Sequence, residues 1–364
     1  MIISSKIVAG ASWTLAQLSG YMSWYDPWSF CVTPTGRIIA GSRTDFGTGG
    51  IWYSDDNGVN WTQSTVTSDW WNSFCVTSTG RIIAGSGSGI WYSDDNGVNW
   101  IQSNKTDNSW YAFCVTQTGR IITIAYDTSI WYSDDSGVNW TQSNYSTDNP
   151  WGESNCALCV TSTGRIIAAI DRNLYYSDDN GVNWTEVMAA NVTNKLGQRW
   201  ADTGGSMGWR ALCVTSTGRI IAGGAAVTAT FKGIWYSDDN GVNWIQSNKT
   251  DADWSSFCVT PTGRIIAGSK NTMIIDNNYD GGGIWYSDDN GINWIQSNKT
   301  DDWWYSFCIT STGRIIASRS DDIWYSDPVP VPIKLAREKY LDQNGAQEIV
   351  TQFKSYCNSL VGGE

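Results

Sequence analysis

One internal repeat runs through most of the chain and restricts the folds that it can adopt. Residues 30–41 read FCVTPTGRIIAG, and close copies begin at six later positions, which are Phe74, Phe113, Leu158, Leu212, Phe257 and Phe307. A second segment, residues 51–62, reads IWYSDDNGVNWT and follows each copy of the first, shortened to residues 323–327 at the end. Equivalent glycines lie 39 to 54 residues apart, which is typical of one propeller blade per repeat.

Each repeat predicts four short strands, which read FCVT, RIIAG, IWYS and NWTQ and are separated by Thr-Gly and Asn-Gly turns. The seventh repeat stops before Pro328 and lacks the fourth strand, whereas residues 11–17 read ASWTLAQ and match the missing piece. We therefore predict an all-β, seven-bladed propeller of four-stranded blades, in which the N-terminal strand closes the last blade and protects its edge.

The repeats also predict the domain boundaries. We expect a propeller over residues 1–327, a Pro-rich linker over 328–333 and a short C-terminal helical tail over 334–364. Apolar residues of the tail recur at helical spacing, at Ala346, Ile349, Val350, Phe353, Tyr356 and Leu360. Such a helix buries its apolar stripe either on the propeller or on another chain, so a homo-oligomer is one expected outcome.

Composition and charge exclude several classes of partner. The net charge of −12 would repel a phosphate backbone, so we expect no nucleic acid, and no apolar run is long enough to predict membrane insertion. The N-terminus lacks the apolar stretch of a signal peptide. Seven of the nine cysteines occupy one repeated position and are predicted to be buried free thiols, at Cys31, Cys75, Cys114, Cys159, Cys213, Cys258 and Cys308.

The pattern Ser54-x-Asp56-x-Gly58-x-x-Trp61 resembles the Asp-box of bacterial neuraminidase repeats, and six intact copies are present. Similar boxes occur in sialidases, sortilin-type receptors, xyloglucan hydrolases and photosystem assembly factors, so the resemblance implies a propeller rather than one activity. Within the box we expect the serine and aspartate to accept backbone N–H bonds, and the repeated arginines, such as Arg37, to pair with box carboxylates.

The sequence predicts no catalytic residues, and therefore a protein that is not an enzyme. The Arg-Ile-Pro signature of sialidases is absent, the chain has no histidine, and almost all aspartates before the tail lie in repeated positions. A glycosidase could still use two aspartates, but no unique acid pair stands out. We expect no metal, because the Asp-Asp-Asn-Gly turn departs from a calcium loop at its first and twelfth positions, and no cofactor.

A ring of tryptophans before the innermost strands is the predicted ligand-binding site. Its members are Trp28, Trp71, Trp110, Trp151, Trp209, Trp254 and Trp304. Arg43, Arg199 and Trp200 are added because they break the sevenfold symmetry, and further non-repeat arginines, Arg172, Arg210 and Arg319, belong to the same face. An exposed indole beside short polar side chains suits the apolar face of a sugar. The alternative is that these tryptophans pack between neighbouring blades.

Residues 339–347, which read KYLDQNGAQ, resemble short C-terminal modules of tail and structural proteins of phages of Gram-positive bacteria. The resemblance implies a virion protein that is assembled in a bacterial cytoplasm and displayed on the virion or at an extracellular surface. The expected partners are a host glycan or cell-surface receptor for the propeller and other virion proteins for the tail. Two alternatives stay open, a protein-binding assembly scaffold and a glycoside hydrolase.

Overall fold

The computed structural model describes residues 13–18, 29–42, 50–66, 69–145, 156–170, 173–188, 192–193, 207–226, 232–270, 272–273, 279–280, 282–300, 303–319 and 322–326. These residues form seven antiparallel sheets of four strands, each of which is one blade, and they contain no helix. The predicted all-β, seven-bladed propeller is therefore confirmed, whereas the predicted linker and helical tail lie outside the described residues.

The strands are short, and equivalent strands occupy equivalent positions in the repeat. The innermost strands of blades 1 to 7 are Ser29–Val32, Trp71–Val76, Trp110–Val115, Cys156–Val160, Met207–Val214, Asp253–Val259 and Trp304–Ile309. The second strands are Ile38–Gly41, Ile82–Ser86, Ile121–Ala125, Ile166–Ile170, Ile220–Ala226, Ile265–Lys270 and Ile315–Arg319. The third strands are Ile51–Ser54, Gly89–Ser93, Ile130–Ser133, Asn173–Ser177, Gly233–Ser237, Gly283–Ser287 and Asp322–Ser326. The outer strands of blades 1 to 6 are Asn60–Gln63, Ile101–Gln102, Thr141–Gln142, Thr185–Glu186, Trp244–Gln246 and Ile295–Gln296.

The N-terminal strand closes the ring, as the sequence predicts. Trp13–Leu15 is the outer strand of blade 7 and pairs antiparallel with Asp322–Ser326, with Trp13 opposite Ser326. Innermost strands contact their neighbours all the way round, including Trp304–Ile309 against Ser29–Val32. The Nη1 atom of Arg314 also donates to the carbonyl of Asn57, 3.2 Å away in blade 1. The N-terminal strand and side-chain contacts thus join the last blade to the first.

Three small elements were not predicted. Gln17–Leu18 and Val192–Thr193 each add a parallel fifth strand, the first beside the outer strand of blade 1 and the second beside that of blade 5. Thr272–Met273 and Tyr279–Asp280 form a two-stranded hairpin between the second and third strands of blade 6. These additions break the sevenfold symmetry without changing the blade count.

The core lies between the blades. The first two isoleucines of each second strand are buried, as Ile38 and Ile39 of blade 1 illustrate with no exposed surface. In four blades these isoleucines are followed by an alanine and then directly by a glycine, which leaves space for the aromatic rings of the next blade. At Gly41 an added Cβ would lie 2.6 Å from Cε2 of Phe74 and 2.7 Å from Cβ of Trp71. A larger side chain would clash there, so glycine permits the close approach of blades 1 and 2.

The Asp-box stabilises the turn between the third and outer strands in the way that the sequence predicts. Ser54 Oγ accepts from the amide of Gly58 at 2.9 Å, and Asp56 Oδ1 accepts from that of Asn60 at 2.8 Å. Trp61 Nε1 donates to the Gly58 carbonyl at 3.1 Å. Partial burial by itself would raise the pKa of Asp56, but the bonds from Asn60, Ser54 and Val59 outweigh it, so the pKa lies below its usual value.

The repeated arginines link neighbouring blades, and their predicted pairing with box carboxylates is confirmed for six of the seven. The exception is Arg314, whose Nε has no acceptor among the described residues. Arg37 holds Asp55 in a bidentate pair, with Nε at 2.7 Å from Oδ1 and Nη2 at 2.8 Å from Oδ2. Its guanidinium lies over the ring of Tyr53, 4.1 Å from the centroid, and its Nη1 donates to the carbonyl of Asn96 in blade 2. One side chain therefore joins its own box to the neighbouring box.

The repeated cysteines are free thiols, as predicted, but the predicted burial holds fully for four of them, Cys75, Cys114, Cys159 and Cys308, while Cys31, Cys213 and Cys258 are partly exposed. None of the seven repeated cysteines forms a disulfide. Burial raises the pKa of each of the seven repeated thiols, that of Cys159 to about 12. These groups pack as small apolar side chains and are poor nucleophiles.

Candidate functional site

The predicted ring of exposed tryptophans is wrong for every member that the structure describes. Trp71, Trp110, Trp209 and Trp254 have no exposed surface, and Trp304 is 1% exposed. Their indoles pack against other tryptophans between the blades, for example Trp254 against Trp285 and Trp294 at centroid distances of 6.3 and 6.2 Å. The alternative that these residues are core wedges is therefore the correct one.

The local backbone explains this burial. In each of the five blades a one-residue bulge follows the tryptophan, so that Trp71 lies opposite Ser86 while Ser73 lies opposite Gly85. The bulge turns the indole away from the channel and into the interface with the preceding blade. In four of the five blades it meets a glycine of the preceding blade's second strand, as Trp71 meets Gly41.

The remaining predicted site residues lie outside the described residues. They are Trp28, Trp151, Arg43, Arg199 and Trp200. Their contribution to ligand binding stays a prediction.

The exposed aromatic side chains are different residues on the same side of the propeller. We call this side the loop face, because it carries the starts of the innermost strands and the connections between second and third strands; the opposite side, with the Thr-Gly turns and Asp-boxes, is the box face. Trp70, Tyr126 and Trp303 are 39%, 43% and 43% exposed. We refer to these three as the rim aromatics. Trp70 and Trp303 directly precede buried tryptophans, and Tyr126 directly follows the second strand of blade 3.

Trp70 is held by the hairpin of its own blade. Its carbonyl accepts from the amide of Gly87 at 2.9 Å, and its ring lies beside Gly87, where an added Cβ would be in ordinary contact with Cε3 at 3.8 Å. Beside it, the hydroxyl of Ser88 donates to a carboxylate oxygen of Asp69. An exposed indole therefore stands next to a carboxylate and a hydroxyl, both of which can hydrogen-bond sugar hydroxyls.

The other two rim aromatics have aromatic neighbours. Trp303 meets Tyr305 edge to face, with centroids 6.4 Å apart, and Tyr126 lies 6.1 Å from Tyr111. Near Trp303, Arg319 pairs with Asp322 at 2.9 Å. Blades 7 and 2, which carry Trp303 and Trp70, both adjoin blade 1.

A cavity of about 270 Å³ occupies the central channel and is lined by all seven innermost strands. Polar side chains in its wall include Asn72, Ser73, Tyr111, Arg210, Ser255 and Tyr305. Arg210 is the single charged side chain among the described residues that line it. Sequence reasoning placed Arg210 on this face but missed its position in the channel.

A second cavity, of about 710 Å³, opens on the box face between blades 1 and 3. Its charged groups already have protein partners: Arg81 pairs with Asp94 at 2.6 Å, and Asp135 accepts from the amide of Asn139 at 2.8 Å. Among the described residues, no group of three or more cysteine, aspartate or glutamate side chains is arranged to hold a metal ion. The same part of the chain contains no helix able to cross a membrane.

Comparison with known proteins supports the class of fold that this geometry defines. The BNR/Asp-box repeat model matches residues 175–186, which include the box of blade 4. A search of curated proteins found no match. Virginiamycin B lyase from Staphylococcus aureus is 10% identical with a TM-score of 0.63, over 87% of this chain and 99% of the lyase.

Two further solved structures share the architecture. YCF48 from Cyanidioschyzon merolae is 11% identical with a TM-score of 0.59, over 87% of this chain and 98% of that protein. The extracellular domain of BT4673 from B. thetaiotaomicron is 11% identical with a TM-score of 0.65, over 86% of this chain and 39% of that one. At these identities the similarity establishes the propeller fold alone.

The lyase corrects one expectation. The sequence predicts a protein that is not an enzyme, but an enzyme has the same architecture along almost its whole length. The fold is therefore compatible with catalysis. What the fold and the Asp-boxes define is the class, a seven-bladed Asp-box propeller.

Proposed function

We propose that the chain is a carbohydrate-binding propeller whose loop face recognises a glycan through the rim aromatics. The observation that carries the proposal is the exposure of Trp70 and Trp303 beside hydrogen-bonding groups, Asp69 and Ser88 in one case and Tyr305 in the other. A pyranose ring presents an apolar C–H face to an indole and hydroxyl groups to neighbouring acceptors.

The rest of the surface supports the choice of this face. On the box face the repeated carboxylates and arginines satisfy one another, as Arg37 and Asp55 do, and that arrangement recurs from blade to blade. A repeated, internally paired surface has little polar capacity left for a ligand. On the loop face, by contrast, exposed aromatics occur in only some blades and their surroundings differ.

The biological setting proposed here is recognition of a host surface by a phage virion, with residues 334–364 contributing to assembly. It depends on the resemblance of the tail sequence alone, and those residues lie outside the described part of the chain. A protein-binding scaffold is the competing function.

A glycan array followed by calorimetry tests the proposal. We expect binding to a defined set of glycans, and we expect Trp70→Ala and Trp303→Ala each to weaken the best ligand by about tenfold or more, as loss of an aromatic anchor does. Ile245→Ala is the matched control, because it removes a side chain that is 47% exposed on the outer strand of blade 5. Absence of any glycan binding, or equal losses in all three variants, would overturn the proposal.

A further inference from the structure

Arg210 occupies an unusual position in the wall of the central channel. It is the residue inserted by the bulge of blade 5, between Trp209 opposite Gly224 and Ala211 opposite Gly223. The equivalent bulge residues in blades 2, 3, 6 and 7 are uncharged, namely Asn72, Tyr111, Ser255 and Tyr305. One arginine therefore breaks the symmetry of a ring of neutral polar side chains.

Among the described residues, no carboxylate forms an ion pair with the guanidinium of Arg210. Its Nε atom is buried and has no hydrogen-bond acceptor among the described residues. The repeated arginines, in contrast, each face a carboxylate where the box is described, as Arg219 faces Asp238 at 2.6 Å. A buried donor on a charged group without an acceptor costs stability, so its presence needs an explanation, and binding of a ligand is one.

Other side chains in the wall of the same cavity carry donors suited to an oxyanion. Asn72 and Tyr111 carry side-chain donors, and Arg210 offers a planar fork of N–H groups. The described lining contains no carboxylate that would repel an anion. The volume of about 270 Å³ lies just below the range typical of drug-sized ligands, so the channel suits one charged sugar unit rather than an oligosaccharide.

From this geometry we propose that the channel mouth binds the anionic group of an acidic sugar, a carboxylate or a sulfate, with Arg210 as its counter-ion. The inference rests on the proposed glycan recognition and deepens it. The rim aromatics would hold neutral sugar rings at the surface, while Arg210 selects ligands that carry a negative charge. The charge-assisted bonds to a guanidinium are the source of that selectivity.

Calorimetry with matched monosaccharides tests the inference. Methyl β-glucuronide and glucose 6-sulfate are each compared with methyl β-glucoside, and sodium sulfate serves as a free anion. We expect at least one charged sugar to bind about tenfold or more tighter than the neutral glucoside, since hydrogen bonds to charged groups are the strong ones. Sodium sulfate is expected to bind more weakly than the charged sugar, because it lacks the ring.

Two variants connect the preference to the channel. Arg210→Gln should abolish the preference for the charged sugar, whereas Arg319→Gln, which removes the same charge from a loop-face residue that does not line the channel, should preserve it. Thermal unfolding should be unchanged or slightly raised in Arg210→Gln, because Nε has no described protein acceptor to lose and a buried donor without an acceptor is removed.

Any of four results would overturn the inference. They are equal affinity for charged and neutral sugars, no binding of any probe, free sulfate binding as tightly as the sulfated sugar, and a preference that survives in Arg210→Gln. The proposed function is refuted by a different result, which is the absence of binding to any glycan on the array. Neutral glycans that bind through Trp70 without any charge preference would leave the proposed function standing and this inference refuted.

Discussion

Trp70 and Trp71 are adjacent in sequence and opposite in environment, so they test the packing of the propeller directly. Trp71 has no exposed surface and touches Trp91 and Trp100 at centroid distances of 6.0 and 6.1 Å, whereas Trp70 is 39% exposed. Removing a fully buried tryptophan costs ~3–5 kcal/mol of unfolding free energy, mostly through the cavity that it leaves. The Nε1 atom of Trp71 has no hydrogen-bond acceptor, so the loss comes from packing.

We therefore expect Trp71→Ala to lower the unfolding free energy by about 4 kcal/mol and Trp70→Ala by about 1 kcal/mol or less. Urea unfolding followed by far-ultraviolet circular dichroism measures both. The pair Trp304 and Trp303, 1% and 43% exposed, repeats the comparison in blade 7. If Trp70→Ala costs as much as Trp71→Ala, the assignment of one indole to the core and the other to the surface is refuted.

Three further predictions concern the repeat. Gly41→Ala should lower the unfolding free energy by about 1–3 kcal/mol, because the added methyl group overpacks against Phe74. Ser318→Ala, at the equivalent position of blade 7, should be neutral or stabilising, because the buried Ser318 hydroxyl has no partner among the described residues. Equal urea midpoints for the two variants would contradict this prediction. The pKa values of Asp56, Asp95, Asp135, Asp179, Asp239 and Asp289 are lowered in the folded protein, so their stabilisation is complete above the usual carboxyl range and is lost as pH falls through the folded values. Melting temperature should accordingly stay level from pH 7 to about 5 and fall below about 4, and a rise on acidification would be inconsistent with the box bonds. In native protein iodoacetamide should label at most the two cysteines outside the repeated position, Cys156 and Cys357, and rapid labelling of the other seven, counted by mass spectrometry, would show that they are not buried.

The repeat made most of the fold predictable. Residues 30–41 and 51–62 carry strand patterns, turn glycines and a box whose bonds are all local, so sequence alone predicts four strands and a stapled turn. The closing strand could be predicted because ASWTLAQ supplies the piece that the seventh repeat lacks. The two parallel fifth strands could not, because nothing in QL or VT distinguishes them from loop.

The candidate site could be predicted only in part. The tryptophans before the innermost strands look like one ring in the sequence, although their spacing to the following Phe or Leu is three residues in five blades, two at Trp28 and seven at Trp151. The irregular spacing at Trp28 and Trp151 is one sign in the sequence that the tryptophans do not form one ring. A second sign is a glycine in the second strand of the preceding blade, which leaves room for a buried tryptophan. Gly41 and Gly85 precede blades that have Trp and Phe, whereas Ile124 precedes blade 4, which has no tryptophan at that position.

Burial and exposure of neighbouring tryptophans depend on the bulge, which a single sequence does not encode plainly. The same bulge places Arg210 in the channel, so its role could not be inferred from its being a non-repeat arginine. Trp70 and Trp303 each stand next to another tryptophan in the sequence, and nothing in the sequence alone distinguishes the exposed member of each pair from the buried one.

The central claim is that the loop face is the recognition surface, and a crystal structure of the chain with its tightest array glycan tests it most directly. The account predicts electron density for a sugar ring stacked on Trp70 or Trp303, on the side where the innermost strands begin. A glycan bound on the box face, between the Thr-Gly turns and the Asp-boxes, would contradict it.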